Sequence, residues 1–230
     1  MAYISYALAL LVSFILPIGI SVVLILKSRH YFKVVLIGIL TFLVFQVFTR
    51  VYILQVILPT KVWYILFTYQ YPITYAFLLS LSAGLFEEVG RYITMKYLLR
   101  HMDIKDSIVF GIGHGGIEAI LFVGISLLMI NPFMIDSQNL LMSAIERLSA
   151  MVFHCGFSML VYQMIYKHKK NYLIFSIGIH TLINFMTVFL MLKGVNLWIV
   201  EGVLFSGAYI MFIYIKNQWR NEYETLNPIA

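Results

Sequence analysis

Charge is what this sequence has least of. Asp, Glu, Lys and Arg make up 11% of the 230 residues, while hydrophobic residues make up 62%. A soluble domain carries about a quarter charged residues, so this chain cannot coat a water-facing surface of its size. Its mean hydropathy of +0.92 agrees. Cysteine is nearly missing too. Cys155 stands alone, which excludes an internal disulfide and a cysteine-based zinc or iron–sulfur centre. No basic region precedes the first apolar run, and that run is long enough to span a bilayer, so no cleaved leader is expected. No linker, low-complexity tract or sequence repeat divides the chain.

Long apolar runs are what the sequence does have. A spanning helix needs roughly 20 mostly apolar residues. Seven segments qualify, at about 5–26, 34–57, 71–99, 107–129, 143–166, 172–192 and 197–215. The reading is an all-α, polytopic transmembrane bundle over residues 1–215, followed by a polar cytoplasmic tail over 216–230. The net charge of +6 invites a nucleic-acid reading, but its placement favours membrane topology. Lys27, Arg29, Lys33, Lys96, Arg100, Lys105, Lys167, Lys169, Lys170, Lys216 and Arg220 all fall on one side. Lys61 and Lys193 fall on the other. Basic residues collect in cytoplasmic loops, so the N-terminus is expected outside and the C-terminus inside. Trp63, Trp198 and Trp219 fall near predicted interfaces, where amphipathic rings sit. The expected surroundings are a bacterial plasma membrane and its lipid bilayer, with no nucleic-acid partner.

Ionisable groups within spans are costly and point to function. The third span carries Glu87, Glu88 and Arg91, and the fourth His114 and Glu118. The fifth carries His154 and Ser158, and the sixth His180 and Asn184. Residues three or four apart share a helix face, so each of these helices presents one polar couple. At 1.5 Å per residue, Glu87 and His154 lie about 18 Å from the basic end of their spans, His114 about 10 Å and His180 about 12 Å. Four antiparallel neighbours with polar groups at similar depth predict one buried cavity, in the inner half of the bilayer and reached from the cytoplasm. Glycines such as Gly111, Gly113, Gly115 and Gly116 flank the polar residues and permit close helix approach.

Each feature also has a plainer reading. Glu88 with Arg91 reads as a structural ion pair, which leaves Glu87 the freer carboxylate. Glu118 reads as the partner of His114 on its own helix. Gln46 and Arg50 read as structural, and Glu146 and Arg147 as interfacial. A carboxylate beside imidazoles in a dry cavity can hold and deprotonate a water. A His and an Asn one turn apart can donate to an oxyanion. Together these suit water attack on an amide. A zinc hydrolase stays open, since His114, His154 and His180 with a Glu are possible ligands, although the His-Glu-x-x-His spacing is absent.

Glu-Glu-x-x-Arg (Glu87, Glu88, Arg91), Phe-x-x-x-His (Phe110, His114) and His-x-x-x-Asn (His180, Asn184) resemble the motifs of the CAAX-protease and bacteriocin-processing (Abi, CPBP) superfamily. The run Gly-Ile-Gly-His-Gly-Gly-Ile-Glu more narrowly resembles the YhfC family of glutamic-type intramembrane peptidases. The resemblance implies a hydrolase acting on a peptide or membrane-protein substrate, with Glu87 as base and His114 as water partner. It assigns His180 and Asn184 as oxyanion donors and calls for no cofactor or metal. Glu88, Arg91, Glu118, His154 and Ser158 are expected to support the site. This chain has one residue fewer between the Glu pair and the Arg than the usual CAAX spacing, and His154 and Glu118 have no place in that scheme. A non-catalytic scaffold of the same fold and a small proton-coupled transporter are the competing readings.

Overall fold

The computed structural model describes residues 2–129, 131 and 135–226. Among them are seven helices long and apolar enough to cross a membrane: Tyr3–Lys27, Arg29–Thr60, Pro72–Leu98, Ile104–Met129, Ser137–Tyr166, Tyr172–Leu192 and Leu197–Glu222. They are called the first to seventh spans below. A short helix, Val62–Gln70, joins the second to the third. The protein is thus an all-helical, multi-pass membrane protein, as the hydropathy predicts.

The fourth and fifth spans begin earlier than the apolar pattern indicates, because capping chemistry rather than hydropathy starts them. Asp103 accepts from the Asp106 backbone N–H at 2.8 Å, and Asp106 accepts from that of Asp103 at 3.2 Å. This reciprocal box satisfies N–H groups that a helix start leaves open. Asp136 accepts from the Gln138 N–H, so the fifth span starts at Ser137 and not near residue 143. At the far end, helix continues to Leu226. Residues expected to form a separate tail therefore extend the seventh helix, and Lys167 pairs with Glu222 there at 3.4 Å. Residues 227–230 of that expected tail lie outside the described residues.

The fifth span is the axis of the bundle. Some 72% of its apolar window is buried, against 17% for the first, sixth and seventh spans. Those outer spans turn large apolar side chains such as Phe175, Phe205 and Phe212 outward, which suits a helix whose solvent is lipid. The fourth span wedges between the second and fifth. A Cβ on Gly111 would stand 2.5 Å from the Cys155 Cα, and one on Gly113 2.5 Å from the Val35 carbonyl oxygen. Only glycine permits those approaches, and they bring His114 to the centre.

Candidate active site

The third span supplies adjacent carboxylates that point differently. Glu88 is fully buried. It pairs with Arg91, accepts from the Ser176 hydroxyl at 2.7 Å, and accepts from His180 Nδ1 at 2.8 Å. A carboxylate only accepts, so His180 carries its proton on Nδ1 in that contact and turns Nε2 toward Glu87, 3.9 Å from Oε1. Glu87 accepts from His114 Nε2 at 3.0 Å. Arg91 Nη2 lies 3.5 Å and His154 Nδ1 3.9 Å from the same oxygen, Oε2. The His114 ring is held by Phe42 edge-on at 5.2 Å and by Phe110 stacked at 6.2 Å. Its Nδ1 has no hydrogen-bond partner among the described residues.

His154 is gripped from both sides. Arg91 Nη2 donates to its Nδ1 at 2.5 Å, and its Nε2 donates to Glu118 Oε2 at 2.6 Å. Glu118 in turn accepts from Arg147 Nη1 at 2.8 Å, and Arg147 Nη2 reaches Glu146 at 2.5 Å. Two expectations are corrected here. Glu118 partners His154 across the helix interface, not His114 on its own helix, whose ring is turned to Glu87. Arg147 is not at the start of its helix. The fifth span starts at residue 137, so Arg147 sits about 15 Å inside it, buried beside Glu118.

A cavity of about 290 Å³ adjoins the cluster, with Glu87, His154, His180 and Asn184 on its wall. Beyond them it is lined by Arg50, Ser80, Arg147, Thr187 and Leu204. Every one of these lies toward the helix ends that carry the Lys61 and Lys193 loops. The cavity therefore runs away from the basic loops, not toward them as expected. Ser158 is not part of it. That side chain is fully buried, and its Oγ has no partner among the described residues. The structure thus gathers Glu87, His114, His154 and His180, with Asn184 on the wall. It adds Arg147 and Arg50, which the sequence reading set aside.

One carboxylate oxygen of Glu87 and one ring nitrogen each of His114 and His154 lie within 4.8 Å of one another. Two imidazoles and a carboxylate with room for a water make a donor set suited to zinc. The far nitrogen of His154 is anchored on Glu118, the outer contact that commonly orients a ligating histidine. The donor types therefore fit a divalent ion, with Arg91 Nη2 now on His154 Nδ1, the nitrogen that would ligate it.

Seven spans, the third to sixth of which meet in a buried carboxylate–imidazole cluster, make this a polytopic membrane protein. The family model described as "YhfC intramembrane metalloprotease" matches residues 12–141 and 133–204, and the chain belongs to the YhfC family. It is similar to the uncharacterized membrane protein YhfC of Bacillus subtilis (strain 168), with 35% identity over 218 residues, 80% of this chain and 83% of that protein. No solved structure matches.

Proposed function

We propose that the protein is an intramembrane peptidase that adds water across a peptide bond at Glu87. The observation that carries this reading is the meeting of Glu87, His114 and His154 from three spans beside a cavity. Glu87 takes the proton of the attacking water and passes it to the leaving amine, while the water oxygen bonds to the scissile carbonyl carbon and the carbon–nitrogen bond breaks. The Asn184 amide donates to the developing oxyanion. His180 is fixed by Glu88 and adds a second donor when its ring carries both protons. Arg147 and Glu118 hold His154 in place.

His114, His154 and Glu87 would hold a divalent ion, and such an ion, when bound, acidifies a water and polarises the carbonyl. Both the donor set and the family's description support this form. A second, metal-free form keeps Glu87 as base and is favoured by Arg91, whose guanidinium already stands between Glu87 and His154. The likeness of the three motifs to CAAX endopeptidases supports that form. In both, the basic loops face the cytoplasm.

The test is cleavage of a hydrophobic peptide library by the purified protein in proteoliposomes, alongside elemental analysis. Cleavage that is lost in Glu87→Gln, lost on chelation and restored by zinc supports the metal form. Cleavage that survives chelation but needs Glu87 supports the second. Full activity in Glu87→Gln removes both. No cleavage of any peptide leaves a scaffold or carrier.

A further inference from the structure

Arg50 is a buried cation with no contact ion pair among the described residues; the carboxylate whose charge it feels is Glu87, across the cavity. It is 8% exposed and lines the cavity. Its Nε donates to Ser82 Oγ at 2.9 Å, Nη1 to Gln46 Oε1 at 3.2 Å and Nη2 to the Leu79 carbonyl at 2.7 Å. All three partners are uncharged, and no carboxylate of the described residues stands within ion-pair distance. Arg91, in the cluster, and Arg147, on the cavity wall, differ, since Arg91 pairs with Glu88 and Arg147 with Glu118 and Glu146. A guanidinium has five N–H donors. Three are used, and they fix the plane of the group between the second and third spans. One N–H remains on each Nη, so both nitrogens can still donate to a carboxylate. A lone charge inside a membrane protein is expensive, and this one borders a cavity that holds the proposed reaction centre.

We infer that Arg50 is a substrate-binding subsite for a carboxylate, the free C-terminus of a peptide or an acidic side chain, about two residues from the scissile bond. The inference rests on the peptidase reading for the word substrate, and the binding itself does not. The spacing follows from the third span. Arg50 contacts Ser82, and Glu87 lies five residues further along the same helix, a rise of about 7.5 Å. An extended peptide covers that in about two residues. The carboxylate-bearing end of the substrate then faces the end of the bundle opposite the basic loops.

Binding is read separately from cleavage by using full-length Glu87→Gln in detergent and fluorescence anisotropy. The probes are dansyl-Ala-Leu-Leu-Val-Ala-Leu with a free C-terminal carboxylate, its C-terminal amide, and that amide with Asp as the penultimate residue. The free acid or the Asp amide is expected to bind about tenfold or more tightly than the plain amide. Preference for the free acid alone identifies a C-terminus as the ligand, and preference for the Asp amide alone identifies a side chain. Adding Arg50→Lys should reduce the preference and adding Arg50→Gln should abolish it, in protein that stays monodisperse. Equal binding of all three probes with Arg50 intact overturns the inference without any variant of Arg50. So does a preference that persists in Arg50→Gln. If the wild type cleaves nothing yet this preference is present, the peptidase reading fails and the carboxylate site stands.

Discussion

The two sides of the third span put adjacent carboxylates to different uses. On the side turned to the sixth span, Glu88 is engaged by Arg91, Ser176 and His180, and it holds two helices together. On the cavity side, Glu87 accepts one hydrogen bond from His114, and the other groups around it lie at 3.5–3.9 Å. A carboxylate with three of its roughly four acceptor sites taken by the protein stabilises a fold and has little left to offer a substrate. One with slack in its surroundings can take a proton, a water or a metal. The contrast teaches that in one buried cluster the group with fewer close contacts is the better candidate for chemistry.

Two substitutions test that contrast most directly. Glu87→Gln should lower peptide hydrolysis on the order of a hundred- to ten-thousand-fold, as loss of a general base does, while the melting temperature in detergent stays within a few degrees. Glu88→Gln should do the reverse of this in stability. It leaves Arg91 and His180 buried with only the more distant Glu87 as a charged partner, at a cost of up to about 3–5 kcal/mol, read as a large fall in melting temperature or in yield of folded protein. If Glu88→Gln melts normally and Glu87→Gln does not, the two roles are exchanged and the peptidase reading loses its base.

A smaller effect comes from the outer contact on His154. Glu118→Gln keeps the shape but removes the charge that Arg147 and His154 share. A drop of about ten- to a hundred-fold in metal content or turnover is expected. Elemental analysis together with cleavage rates separates the two forms of the mechanism, because only the metal form predicts that both fall together. No change in either would reduce Glu118 to a packing contact and return His154 to the ordinary buried histidines.

Much of this was legible in the sequence. Helix count and the convergence of Glu87, His114, His154 and His180 follow from hydropathy and from depth along antiparallel spans. Partner choice was not. Spacing of four residues on one helix places His114 and Glu118 on a common face, but a neighbouring helix lying close enough can claim either side chain. Gly111 lets the fifth span approach, so Glu118 turns to His154, and Glu87 takes His114. Arg147 was misplaced for another reason. Polar residues in the first turns of the fifth span mask its start, and the Asp136 cap that marks it lies outside the apolar window. The direction of the cavity needed side-chain volumes from six helices at once, which no single-span pattern carries.

The smallest expected effect belongs to Ser158, one turn from His154 on the same helix. Its position on the helix suggests a hydroxyl that supports the histidine, and the structure gives it none of the contacts such a role needs. Oγ is buried, has no hydrogen-bond partner among the described residues, and is absent from the cavity wall. A buried hydroxyl left unpaired costs about 1–3 kcal/mol in desolvation, so removing it relieves a small penalty. Ser158→Ala should therefore leave turnover within about twofold, since activity changes only as far as the RT-scaled barrier moves. Stability should rise slightly or stay level, read as an unchanged or higher melting temperature beside wild type. A turnover loss comparable with that of Glu118→Gln would show that Ser158 rotates to His154 during the reaction. It would extend the cluster one turn toward the basic loops, on the side of His154 away from the cavity.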